Sequence, residues 1–195
     1  PSEVIILCDE TADPEKAALD WMIEAEHGPD SAALLVTHSK ELVDKVIPIM
    51  NRQLEKISEQ RRSFITTNYQ TYGGVILTDS LEESIQFVND YAPEHMEVMT
   101  KNPFETLPKI KNAGEILLGD YTPVTLCNFV LGPNAILPTG GFAKTYSSVS
   151  VMDFLKRSSV GYASKAGFEN VRKYAAKFAE FEGFDTHGLA VTDRK

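Results

Sequence analysis

Apolar residues along this chain switch repeatedly between a short continuous run and a helical repeat. Residues 4–8, Val-Ile-Ile-Leu-Cys, form a run suited to a strand buried on both faces. Next, Ala18, Trp21, Met22 and Ala25 recur at helical spacing, which predicts an amphipathic helix over 14–26. Asp13 before Pro14 supplies an N-cap and a proline suited to the first turn, and Gly28 and Pro29 stop the helix. The alternation continues with a strand at 32–37, then a long helix capped by Ser39 and running to about Glu59, with Pro48 as a kink. Gly73-Gly74 leads into a strand at 75–78, and Asp79 or Ser80 caps a helix over 81–90. A short strand around 96–99, a helical turn after Pro103 and a strand at 115–118 complete the series. Strands alternating with helices predict an α/β domain: a Rossmann-like, mainly parallel sheet with flanking helices.

The pattern breaks at Gly119. Residues 119–150 are rich in Gly, Pro, Thr and Ser and lack periodicity, and a loop this long inside a compact domain is usually functional. Helical patterns return at 151–158 and at about 167–182; Gly183 is a stop and a last short helix starts near Thr186. The expected organisation is an α/β domain over 1–150, carrying the long loop, and a C-terminal helical segment over 151–195.

Composition changes this picture little. The chain has 195 residues, 43% hydrophobic and 24% charged, enough for a substantial core. A net charge of −9 argues against a nucleic-acid surface, which needs clustered Lys and Arg. No apolar run approaches a membrane span. The two cysteines, Cys8 and Cys127, have neither metal nor redox spacing and fit a reducing compartment. The chain opens at Pro1 and enters a strand almost at once, so it reads as a fragment whose missing targeting signal means little.

Several stretches could carry chemistry. Glu24 and His27, at i and i+3, project from one face of the last helical turn, where a carboxylate and an imidazole can hold a divalent metal. The plain alternative is a solvated helix end with His27 complementing the dipole. Ala92-Pro93-Glu94-His95 sets a histidine beside a carboxylate at a strand mouth, suited to a general base, or else forms a simple polar turn. The stretch 127–141, dense in Gly, Pro and Asn, suits a loop bringing backbone close to a ligand, or a structural Ω-loop. Glu182 and His187 flank the helix break at Gly183. No glycine-rich nucleotide-phosphate loop is present.

Taken in order, several motifs resemble histidinol dehydrogenase. They are Pro1-Ser2-Glu3, 9–14, Ala25-Glu26-His27-Gly28-Pro29-Asp30, Ala92-Pro93-Glu94-His95, Asn112-Ala113-Gly114, Gly132-Pro133-Asn134, 137–141 and 153–157. The match runs over the whole chain and looks like the C-terminal half of that enzyme, with the N-terminal half missing. The resemblance implies a cytoplasmic, intertwined homodimer that oxidises an amino alcohol, L-histidinol, to the amino acid by hydride transfer to NAD, using zinc. It implies that Glu94 and His95 form the catalytic pair, His95 removing the alcohol proton and Glu94 activating water at the aldehyde stage. Glu24, His27, Asn128 and His187 would be the zinc ligands. Substrate contacts would come from Ser2, Glu24, His27, His95, Asn128, Glu182 and His187, with Glu182 and His187 reaching across the dimer. No residue of this chain is assigned to NAD, whose contacts the resemblance places mostly in the missing half.

Three positions depart from the family pattern. It has glutamine where this chain has Glu24 and aspartate where it has Asn128; one carboxylate and one amide remain, exchanged. Ala135 replaces the histidine that usually ends the Gly-Pro-Asn-His loop, removing an imidazole expected at the substrate. Ala135 therefore favours a paralogue acting on another small polyol or amino alcohol. A non-catalytic relative that keeps the fold as a binding or scaffold protein is a different class, disfavoured by Glu94, His95, His27 and His187.

Overall fold

The computed structural model describes residues 2–194 and divides into two compact units, residues 1–154 and 155–195. The first is an α/β unit. Its strands are β1 (Glu3–Cys8), β2 (Ala32–Thr37), β3 (Gly74–Leu77), β4 (His95–Met99) and β5 (Glu115–Leu118), forming one sheet in the order β3-β2-β1-β4-β5. All four pairings are parallel, as in a Rossmann-like fold. The helices are α1 (Pro14–Ile23), α2 (Lys40–Leu54), α3 (Glu59–Thr71), α4 (Leu81–Tyr91), the short turn α5 (Pro103–Thr106) and the single turn α6 (Val124–Leu126).

The pleat sorts the core into two layers, because successive side chains of a strand point to opposite faces. Val4, Ile6 and Cys8 of β1 share one apolar cluster with Ala33, Leu35, Met99 and Leu117, covered by Ala17, Ala18, Trp21 and Met22 of α1 and Val46 and Met50 of α2. Ile5, Leu7, Leu34, Val36, Met96 and Val98 face the other way and pack on Ile85 and Val88 of α4. His95 pairs with Val4 and Glu115 in register, and Glu97 with Ile6 and Leu117. Alternation therefore puts His95, Glu97 and Glu115 on the α1 side, a polar seam in an otherwise apolar face.

Three expectations need correction. The helix over 14–26 ends at Ile23, and Glu24–Glu26 tighten into a 3₁₀ turn with His27 as its C-cap. The long helix to about Glu59 stops early: α2 ends at Leu54, still containing Pro48, and a separate helix, α3, begins at Glu59, where Ser58 accepts from the Arg61 N–H to cap it. Residues 72–73 then return the chain to β3, so α3 is an element the periodicity did not resolve. The pattern over 151–158 gives only a 3₁₀ turn, Val151–Phe154. Every residue from 151 to 164 is exposed, and a short helix with no face to bury is not stable.

The second unit is a helical hairpin, α7 (Lys165–Glu182) and α8 (Asp185–Thr192). Ser164 caps α7, and Gly183, at φ 72°, ends it in the left-handed conformation that costs glycine least. Val171, Tyr174, Phe178 and Phe181 are exposed at helical spacing along α7.

Candidate active site

The turn that delivers Glu94 and His95 is tight. Ala92 ends α4 at φ 59°, a left-handed conformation that a β-carbon disfavours, and its N–H bonds the carbonyl of Val88. Pro93, Glu94 and the start of β4 follow at once. Gly114 lies against this turn: its N–H donates to the Pro93 carbonyl at 2.9 Å, as the Glu115 N–H does to the Glu94 carbonyl. A β-carbon at Gly114 would sit 2.7 Å from the Glu94 carbonyl oxygen, so only glycine fits.

Glu94 and His95 both grip the backbone of Glu3 at the start of β1. The Glu3 N–H donates to Glu94 Oε2 at 2.9 Å, and His95 Nδ1 lies 3.1 Å from the Glu3 carbonyl oxygen. A carbonyl only accepts, so Nδ1 carries the proton and Nε2 keeps its lone pair. His95 Nε2 is buried without a partner. Glu94 Oε2 is 3.7 Å from His95 Nδ1. Burial pushes the Glu94 carboxyl above its ordinary range, offset in part by the Glu3 N–H and His95, while Glu24 and Glu3 push it further up. The Glu3 side chain accepts from the Gly140 N–H at 3.0 Å, which ties the loop of Pro138-Thr139-Gly140-Gly141 to the same point.

Glu24 is 1% exposed although it sits at a helix end. Its Oε2 lies 3.5 Å from Nε2 of the exposed His27, and its Oε1 is buried without a partner. A solvated helix end does not bury its carboxylate this way. Asn128 lies in a π-helical turn, Cys127–Leu131, that continues α6. Such widened turns often occur at functional sites. The turn is anchored to the polar seam twice: the Val124 N–H donates to Glu97 Oε1 and Cys127 Sγ donates to Glu115 Oε1, both at 2.8 Å. Burial, then Glu115, pushes the Cys127 thiol up to about 12. Asn128 Oδ1 is also buried without a partner.

The first unit thus brings together Glu94, His95 and the Ser2-Glu3 strand start, with Glu24 close enough to act on Glu94, and anchors Asn128 to the same sheet face. Ser2 is half-buried, and its carbonyl accepts from the Ala32 N–H at 2.9 Å. Pro1 lies outside the described residues. In the second unit Glu182 ends α7 and His187 opens α8, both exposed, with the His187 ring 5.0 Å from that of Phe184. Among the described residues no three of His, Cys, Asp and Glu converge as a metal-binding group. Of the four expected donors one is an amide, and His187 was expected to act across a dimer.

Sequence reasoning missed Glu3, Glu97 and Glu115. For Glu97 a signal existed: it stands two residues after His95 in a strand, so it shares His95's face. Ala135 is exposed and follows Asn134 in the wall of a cavity of about 620 Å³ lined also by Gly114, Glu115 and Leu137. Among the described residues no helix is long and apolar enough to cross a membrane.

The family model described as histidinol dehydrogenase matches residues 1–195. The chain is 52% identical over 195 residues to histidinol dehydrogenase of Synechocystis sp., a match covering 100% of this chain and 45% of the relative. It is 50% identical over 196 residues to histidinol dehydrogenase homolog 2 of Mesorhizobium japonicum, covering 99% of this chain and 44% of that protein. The crystal structure of histidinol dehydrogenase from Elizabethkingia anophelis superposes with a TM-score of 0.93 at 34% identity, covering 98% of this chain and 44% of that one. The chain therefore spans less than half the length of these relatives.

Proposed function

The chain belongs to the histidinol dehydrogenase family, and on that premise we propose that it supplies the catalytic base and metal-ligand set of a zinc- and NAD-dependent dehydrogenase that oxidises L-histidinol to L-histidine. One observation carries this reading. Among the described residues, the buried side-chain atoms that lack any partner include Glu24 Oε1, His95 Nε2 and Asn128 Oδ1. Such atoms are costly unless something absent from the bare chain satisfies them.

The donors fit a divalent metal. Glu24 and Asn128 each offer an unengaged oxygen and His27 an imidazole beside Glu24, with His187 as the fourth ligand; zinc accepts oxygen and nitrogen ligands of this kind. Bound there, zinc would polarise the substrate oxygen and lower the pKa of the alcohol. His95 then takes the alcohol proton on Nε2, since Nδ1–H is committed to the Glu3 carbonyl, which keeps the ring in place as charge develops on it. Glu94, held by the Glu3 N–H and raised by burial, is the acid–base group for water addition at the aldehyde stage. NAD is the proposed hydride acceptor, and no residue of this chain is assigned to it.

The proposed assembly is a cytoplasmic homodimer in which Glu182 and His187 reach the partner's site. The exposed apolar stripe along α7 supports a covering partner there. A second reading keeps the chemistry and changes the substrate to another small polyol or amino alcohol. It is favoured by Ala135, which stands where the resemblance implies a histidine. The test is zinc analysis of the full-length protein and NAD reduction with a panel containing histidinol and other small alcohols. About one zinc per subunit and turnover of histidinol are expected; turnover of a different alcohol selects the second reading. A protein that binds no zinc and reduces no NAD contradicts both.

A further inference from the structure

Glu115 is a buried acid that the proposed reaction does not use. It is 8% exposed. Its Oε1 accepts from Cys127 Sγ at 2.8 Å, and its Oε2 is buried without a partner. Two placements put this free oxygen at the reacting end of the seam. Glu115 pairs in register with His95, and adjacent strands lie about 4.8 Å apart, so the two side chains rise from neighbouring points on one sheet face. Cys127 immediately precedes Asn128, so the thiol that holds Oε1 belongs to the turn that carries the Asn128 amide. A cavity of about 620 Å³ reaches the same strand start and is lined by Glu115, Asn134 and Leu137. Among the described residues no Lys or Arg is buried, so the chain offers no buried cation to the free oxygen.

His95 Nε2 and Glu115 Oε2 are orphaned acceptors on neighbouring side chains, and a buried acceptor is costly until a donor meets it. Resting on the dehydrogenase reading for the alcohol at His95, we propose that Glu115 is a specificity-determining residue. Its Oε2 accepts from a donor on the carbon next to the alcohol carbon, either the ammonium of an amino alcohol or the second hydroxyl of a polyol. The alcohol O–H meets Nε2 while the neighbouring N–H or O–H meets Oε2. An alcohol with only hydrogen at that carbon leaves Oε2 unpaired and is rejected. In Glu115→Gln the amide oxygen keeps the Cys127 bond and the NH₂ group takes the place of Oε2. A donor then faces a donor, and the preference is lost.

The test uses the full-length protein and two pairs of alcohols that differ by the donor alone: L-histidinol against its deaminated analogue, and glycerol against its analogue without the central hydroxyl. The first pair reads an amine and the second a hydroxyl. Affinity is measured by calorimetry without NAD, turnover as kcat/KM, and metal as zinc content. In the pair that the wild type accepts, the donor-bearing member should bind more tightly and be favoured in kcat/KM by about 10⁴-fold. That is the scale on which a site built around a hydrogen bond rejects an analogue lacking it. Glu115→Gln should cut the ratio by about 10–100-fold, the loss of a hydrogen bond to a charged group, with zinc unchanged. A wild-type ratio near one in both pairs, an unchanged ratio in Glu115→Gln, or loss of zinc from that variant overturns the assignment. Should the variant not fold, the wild-type ratios decide alone. A wild type that accepts none of these alcohols overturns the assignment together with the dehydrogenase reading. A binding preference that falls in Glu115→Gln, in a protein that reduces no NAD, faults that reading and leaves Glu115 standing; NAD reduction with equal ratios in the two proteins does the reverse.

Discussion

Glu24 and Asn128 carry one carboxylate and one amide, the reverse of the arrangement that the resemblance to histidinol dehydrogenase implies. If both face one ion, their effects on it are coupled, since the neutralising charge is a property of the set. Glu24→Gln should weaken zinc binding by leaving two amides. Asn128→Asp should bind zinc more tightly while lowering turnover, because two carboxylates make the ion a poorer Lewis acid. The double substitution should recover most of both properties. Zinc affinity and turnover across the four proteins check this, and additive effects would mean that the two residues do not share an ion. At this scale the sequence was informative about identity and silent about state. His27, Glu94 and His95 are legible as chemistry-bearing residues from their spacing. That Nδ1 of His95 is committed to a carbonyl, and that the Glu3 backbone holds both Glu94 and His95, are consequences of packing between segments about 90 residues apart.

The elements set these residues at the end of the sheet opposite to the usual one. Open α/β sheets usually bind ligands at the carboxyl ends of their strands. Here His95, Glu115 and Glu3 stand at the amino ends of β4, β5 and β1, and Glu24 just precedes β2. The alternation of strand and helix was readable because parallel strands buried on both faces are continuous apolar runs. The α2–α3 break was not, because Ser58 and Glu59 lie in a mostly polar stretch with no change of period. Two predictions belong to this scale. Gly114→Ala pushes a β-carbon against the Glu94 carbonyl and the Pro138 ring, at 2.7 and 3.1 Å. Overpacking of this kind costs about 1–3 kcal/mol, so the midpoint of denaturation should fall and turnover with it; a variant of wild-type stability would show that the β5 start moves freely. The second concerns pH. Burial raises Asp20 from its ordinary 3.8 to about 6, so between those values the folded chain holds a proton the unfolded chain has lost. Its contribution to stability is complete below pH 4 and is lost as pH rises through about 6, by roughly 2–3 kcal/mol. Asp20→Asn should therefore gain on the wild type between pH 4 and 7 in denaturant titrations. Parallel curves for the two proteins would mean that Asp20 titrates normally.

Over the whole molecule, the polar seam lies within the first unit and the exposed apolar stripe on α7 within the second. The chain covers less than half of its relatives' length. The 195-residue chain alone should therefore give no NAD reduction with any alcohol, while the full-length protein does; activity of the short chain would place a complete site within it. Whether the seam is a dehydrogenase site comes down to His95. Turnover of full-length His95→Asn should be about 10²–10⁴-fold below wild type, the loss expected for a general base, with zinc content unchanged. Wild-type turnover in that variant would remove His95 from the chemistry, and loss of zinc would make it a metal ligand instead.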